Sequence, residues 1–155
     1  MGKLLNVSEV IRFAIRIEQE GYRFYVEFMK KIDEPGVLKL FQYLADEEFK
    51  HEHIFRNLLD NAGHLPPPER YRGEYETLME DFLKGNIFDV FRSTSKNIHS
   101  LETLKEALAV ALDLERNSIV FYTALKKYVG EENQALIEKI IQEELNHILR
   151  IYQYH

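Results

Sequence analysis

The chain has 155 residues, of which 45% are hydrophobic and 30% charged, with a formal net charge of −6 and no cysteine. That length suits one domain with one sizeable core, and the composition is that of an ordinary soluble globular protein. The negative charge argues against a nucleic-acid or anionic-membrane surface, and the lack of cysteine excludes a disulfide scaffold, a thiol nucleophile and any cysteine-ligated zinc or iron site.

In chain order, the short apolar run at Leu4 and Leu5 is insufficient for a signal peptide, and no later stretch reaches transmembrane length. A cytoplasmic protein is the default expectation. Asn6-Val7-Ser8-Glu9 reads as a capping box, after which Ile11, Ala14, Ile15, Tyr22 and Tyr25 follow helical spacing. This first helix should stop near Asp33 to Gly36. Pro35 suits the first turn of a second helix that runs to about Ala62 and stops at Gly63. Pro66, Pro67 and Pro68 then forbid regular helix. The connection, about 63–102, offers a short amphipathic stretch at 74–83 and an apolar patch at 87–91. Thr103-Leu104-Lys105-Glu106 is a second capping box, opening a third helix that should end near Gly130, and a fourth runs from about Glu132 towards the C-terminus.

Alternating valine-rich runs of the strand type are absent, so the fold class is all-α. Two short-looped helix hairpins, about 7–62 and 103–155, joined by a long crossover, make one antiparallel four-helix bundle over 1–155. Helices of this length span about 40 Å, a distance the crossover can cover if the second and third helices are parallel.

The hairpins repeat one another. The segment from Ala14 through Glu18 and Gly21 to Phe24-Tyr25 lines up with that from Ala111 through Glu115 and Ser118 to Phe121-Tyr122. Leu44-Ala-Asp-Glu47-Glu48-Phe-Lys-His51 lines up with Ile140-Ile-Gln-Glu143-Glu144-Leu-Asn-His147. On the helices these repeats form apolar stripes, each interrupted by one glutamate. The first carries Ile11, Ala14, Glu18, Gly21 and Tyr25, and the third Leu104, Ala107, Ala111, Glu115, Ser118 and Tyr122. The second carries Val37, Phe41, Leu44, Glu48, His51 and Phe55, and the fourth Ile137, Ile140, Glu144, His147 and Ile151. Spacings of three and four turn each stripe to the core. Counted from their turns, the glutamates of each hairpin fall within about 3 Å of one level.

Four carboxylates and two imidazoles in one slab of core repel one another and lose several kcal/mol or more of hydration apiece. No lysine or arginine lies on the stripes at that level. Two divalent ions would balance four carboxylates, and Glu-x-x-His sets its two ligands one turn apart, within reach of one ion. A lone Glu-x-x-His is cheap, expected about once by chance in such a chain; two at matched depth on core stripes are not. Carboxylate-rich ligation with some imidazole favours iron or manganese over structural zinc.

This pattern resembles the ferritin-like di-iron carboxylate proteins, and most of all the rubrerythrin group, with Glu-x-x-Gly/Ala-x-x-Phe/Tyr-Tyr in one helix of each pair and Glu-x-x-His in the other. The resemblance covers all four helices. It implies two iron ions, with Glu18 and Glu115 as terminal ligands, Glu48 and Glu144 as bridging ligands, and His51 and His147 completing one iron each. It also implies reaction of a ferrous pair with peroxide or dioxygen, as a peroxidase or ferroxidase, supplied by an external electron donor. The alternative is an iron-binding or storage protein. By analogy the chain should form a homo-oligomer, a dimer by expectation. It departs from the group in carrying Ser118 where a further glutamate is usual, and a cysteine-free chain cannot build the rubredoxin-type iron site that often accompanies it.

The remaining polar residues read more simply. Glu20, Glu47, Glu52 and Glu143 read as solvated surface charge, and His53 faces outward. His64, His99 and His155 carry no pattern. Tyr25 and Tyr122 either donate hydrogen bonds to ligand carboxylates or pack with Phe24 and Phe121. Gly21 and Ser118 either permit close helix packing or leave room for dioxygen or peroxide.

Overall fold

A computed structural model describes residues 7–61 and 104–154. Four helices account for almost all of them: α1 (Val7–Met29), α2 (Pro35–Asp60), α3 (Leu104–Leu125) and α4 (Glu131–Tyr152). Among the described residues there is no strand. The crossover at 63–102 lies outside the described residues. So do its stretches at 74–83 and 87–91, the three prolines, the two proposed capping residues Asn6 and Thr103, and His64, His99 and His155.

The α1–α2 turn is set by Glu34, whose carboxylate accepts from the backbone N–H of Gly36 at 2.9 Å and of Val37 at 2.7 Å, with Pro35 opening the helix. Glu131 and Glu132 place negative charge in the first turn of α4. The third helix does not continue to Gly130. It gives way after Leu125 to a 3₁₀ turn, Lys126–Tyr128, and the chain is extended at Val129. Among the described residues no helix is long and apolar enough to cross a membrane.

Within each hairpin the helices pack along one another; between hairpins α1 meets α3 and α2 meets α4. The direction of each helix follows from its cross-contacts. Glu18 touches Tyr122 and Tyr25 touches Glu115, so α1 and α3 are antiparallel. Tyr43 lies against His147 and His51 against Glu143, so α2 and α4 are antiparallel as well. With antiparallel hairpins, α2 and α3 therefore run the same way, and the chain leaves α2 at one end of the bundle and enters α3 at the other.

The four stripes face inward as a set, with two exceptions. Leu104 is exposed at the start of α3, and Tyr22, which shares the first helix's periodicity, lies on its outer side. Aromatic layers close the slab on both sides. Phe24 and Phe41 pack on Tyr25, with Phe28 against both phenylalanines, on the side of the α1–α2 turn, and Phe55 and Phe121 flank Tyr122 on the other. Each buried phenylalanine contributes about 1.5–3 kcal/mol of transfer free energy, and together they carry a core that the polar slab between them does not.

Candidate metal centre

Helical periodicity alone brings Glu18, Glu48, His51, Glu115, Glu144 and His147 into the bundle, where none is more than 3% exposed. Their ligand atoms form two groups, in each of which all lie within 4.8 Å of one another. One comprises Glu18, His51 and Glu144; the other comprises Glu48, Glu115, Glu144 and His147. Glu144 belongs to both and Glu48 to one, so the two glutamates that the resemblance pairs as bridges are not placed alike.

The imidazoles turn the same nitrogen inward. His51 Nδ1 lies 2.7 Å from Glu144 Oε1 and 3.5 Å from Glu18 Oε1, and His147 Nδ1 lies 3.4 Å from Glu115 Oε2 and 3.7 Å from Glu144 Oε2. The rings stack with centroids 5.9 Å apart. Several buried atoms aimed into the slab have no hydrogen-bond partner: Glu18 Oε2, both oxygens of Glu144 and His51 Nδ1. Buried orphans of this kind are rare in folded proteins, and a set of them converging on one spot fits a ligand shell. Carboxylate oxygens with imidazole nitrogens are donors that suit iron.

Charge in the metal-free slab is managed with protons. Burial lifts the Glu48 carboxyl well above its usual range, helped by the charges of Glu18 and Glu144. Burial likewise lifts Glu115 to about 8, helped by Glu144. Burial opposes charge on the histidines, but the carboxylates outweigh it: Glu18 and Glu144 hold His51 up to about 12, and Glu115 and Glu144 hold His147 up to about 11. Glu144 goes the other way. Burial works against its ionisation, yet the nearby Glu115, His147 and His51 side chains hold its carboxyl well below the usual range.

The two tyrosines do more than pack. Tyr25 Oη donates to Glu115 Oε1 at 2.7 Å, and Tyr122 Oη donates to Glu18 Oε1. Each hydroxyl serves the glutamate of the opposite hairpin, so both terminal carboxylates are fixed from across the bundle. Burial, with the carboxylates around them, raises both phenols, which keeps them protonated donors.

Two readings from the sequence are corrected. Gly21 leaves no space for a small oxidant: a Cβ built there would lie 2.9 Å from Glu48 Oε2, so its missing side chain is the room that the Glu48 carboxylate occupies. Ser118, its counterpart, bonds the Leu114 carbonyl of its own helix at 2.9 Å. Glu143 is no free surface charge. Its Oε2 lies 2.6 Å from His51 Nε2, reaching from α4 to α2 with its side chain 36% exposed. A helical wheel assigns Glu143 to a flanking face, and only the neighbouring helix reveals what it reaches. Glu47 pairs with Lys50 and Glu52 with Arg56, while His53 is exposed and bonds the Phe49 carbonyl.

Comparison with known proteins gives two matches. The rubrerythrin family profile matches residues 9–154. The crystal structure of a Thermotoga maritima protein described as a ferritin-like diiron-carboxylate protein superposes with a TM-score of 0.69 at 28% identity, covering 99% of this chain and 96% of that one. No curated protein matches the chain.

Proposed function

The chain belongs to the rubrerythrin family of ferritin-like di-iron carboxylate proteins, and on that premise we propose that its six buried ligands hold two iron ions and serve a peroxidase or ferroxidase reaction. The observation that carries this reading is the pair of ligand groups sharing Glu144, lined by carboxylate and imidazole atoms, several of which have no hydrogen-bond partner. In the ferrous state such a pair would supply two electrons: peroxide taking them up with two protons breaks its O–O bond and gives two waters, whereas dioxygen taking the same two electrons and two protons is reduced to hydrogen peroxide.

The protein's own groups bind, orient and seal. Glu18, His51 and Glu144 would hold one ion and Glu48, Glu115, Glu144 and His147 the other, Glu144 belonging to both groups. Tyr25 and Tyr122 hold the outer carboxylates in place, and the aromatic layers exclude water from the slab. Electrons for turnover come from a separate donor, because these 155 residues contain no cysteine for a rubredoxin-type centre. A homodimer is the assembly such a peroxidase needs, whereas storage needs a closed shell.

The test is iron content followed by single-turnover oxidation. Anaerobically reconstituted protein should hold about two irons per chain and oxidise both on mixing with one equivalent of peroxide. Iron content unchanged in the double variant Glu18→Ala/Glu115→Ala would remove the assigned site. Slow reaction with peroxide, together with many irons retained per chain in a large shell, would favour the storage reading instead.

A further inference from the structure

The two histidines are equivalent in the repeat but not in their surroundings. His51 turns Nδ1 to Glu144 and Glu18, and its outer nitrogen, Nε2, meets Glu143 Oε2 at 2.6 Å. His147 turns Nδ1 to Glu115 and Glu144 in the same manner, yet its buried Nε2 has no hydrogen-bond partner. The repeat relates Glu143 to Glu47, and Glu47 lies 3.5 Å from Lys50 Nζ on its own helix. Beside His147 stands an aromatic group: the Tyr43 ring is perpendicular to the imidazole at 5.7 Å, with the Arg150 guanidinium 4.3 Å from the Tyr43 centroid.

A carboxylate on the outer N–H of an imidazole fixes the tautomer, aims the inner lone pair and raises its donor strength. A cation stacked on a neighbouring ring does none of these. We propose that Glu143 is a positioning residue for His51 and that it makes the Glu18–His51–Glu144 position the tighter, first-filled one of the pair. The inference rests on the dinuclear reading above and adds an order of filling to it. The duplicated ligand set then holds two unlike ions, one imidazole being backed by a carboxylate and the other not.

Anaerobic titration of metal-free protein with Co²⁺, followed by calorimetry and visible absorption, tests this without any turnover. The wild-type protein should bind two equivalents in resolved steps. His147→Ala should keep the tight step and His51→Ala should lose it. Glu143→Ala should weaken that step about 10- to 100-fold, merging the two, and Glu143→Gln should restore much of it because its amide oxygen can accept from the same N–H. Glu47 also brings an oxygen within 4.8 Å of the ligand atoms of His51 and Glu143, so the double variant Glu47→Ala/Glu143→Ala removes any substitute.

A double variant that binds like the wild-type protein overturns the proposal. So does an equal loss in Glu47→Ala alone, an equal loss in Glu143→Gln and Glu143→Ala, or a tight step that survives in His51→Ala. Each of these leaves the dinuclear site standing. Wild-type protein that takes up fewer than two equivalents overturns the site and the proposal together.

Discussion

The two hairpins supply the same ligands and treat them differently. Glu48 on α2 and Glu144 on α4 occupy corresponding places in the repeat, yet Glu48 is pushed towards its neutral form and Glu144 towards its anion. The cause is local. Glu144 lies within 3.7 Å of both imidazoles, whereas the groups acting on Glu48 are burial and the other carboxylates. Gly21 leaves space for Glu48, and Ser118 turns its hydroxyl back onto its own helix. The comparison teaches that duplication can conserve a ligand set while the electrostatics of its two halves separate.

The severest way to break the comparison is to remove one shared carboxylate at a time. Glu144→Ala should abolish binding of both ions, because it strips both ligand groups and leaves two imidazoles without their common counter-charge. Glu48→Ala should retain about one ion per chain, at the Glu18–His51–Glu144 group, which does not use Glu48. Equal losses in the two variants, measured by elemental analysis, would show the halves to be alike after all.

Proton release sharpens the same point. At pH 7 the metal-free slab retains protons on His51, His147 and Glu115, which must leave when divalent metal binds, and burial pushes Glu48 in the same direction. Loading with two ions should therefore release at least about three protons. The sign follows from the raised pKa values: each group keeps its proton at any pH below its shifted value. Near pH 9–10 Glu115 has already lost its proton, so its contribution, about one proton, should disappear from the release. A pH indicator in weak buffer reads the count, and release of fewer than two at pH 7 would contradict these charge states.

A smaller contrast sets Gly21 against Ser118. Gly21→Ala should displace the Glu48 carboxylate, the far end of a flexible side chain, so metal-free stability changes by less than about 1 kcal/mol while metal affinity falls roughly tenfold. Ser118→Gly should cost about 0.5–1 kcal/mol of helix stability and leave affinity unchanged. Thermal unfolding and metal titration separate the two effects. The last contrast is between the tyrosines: Tyr25→Phe and Tyr122→Phe should each lower the stability of the metal-free protein by about 1–2 kcal/mol, to a similar extent. Unequal losses would extend the difference between hairpins to their outer carboxylates.

What the sequence discloses and what it hides follow from the range of each signal. The helical period is local, so the inward direction of Glu18, Glu48, His51, Glu115, Glu144 and His147 can be read from their stripes. The all-α class and the parallel course of α2 and α3 rest on equally local cues, namely capping, turn residues and loop length. Partners across helices depend on register, which one helix does not encode. Tyr25 thus shares a stripe with Glu18 but bonds Glu115, and Glu143 sits on a flanking face but reaches His51. The end of α3 was obscured for another reason: Lys126–Tyr128 keeps helical composition while changing to a tighter turn, and Gly130 starts α4 instead of ending α3.

The crossed tyrosines have a consequence beyond holding carboxylates. Tyr25 reaches Glu115 while Tyr122 reaches Glu18, the reciprocal contact of an isologous interface, here enclosed within one polypeptide. A hairpin that pairs with its own copy must make every substitution twice, once in each partner. A fused pair makes each change once. One-sided features such as Gly21 facing Glu48, or Glu143 on only one of two histidines, are open to the fused chain and closed to a symmetric pair of hairpins.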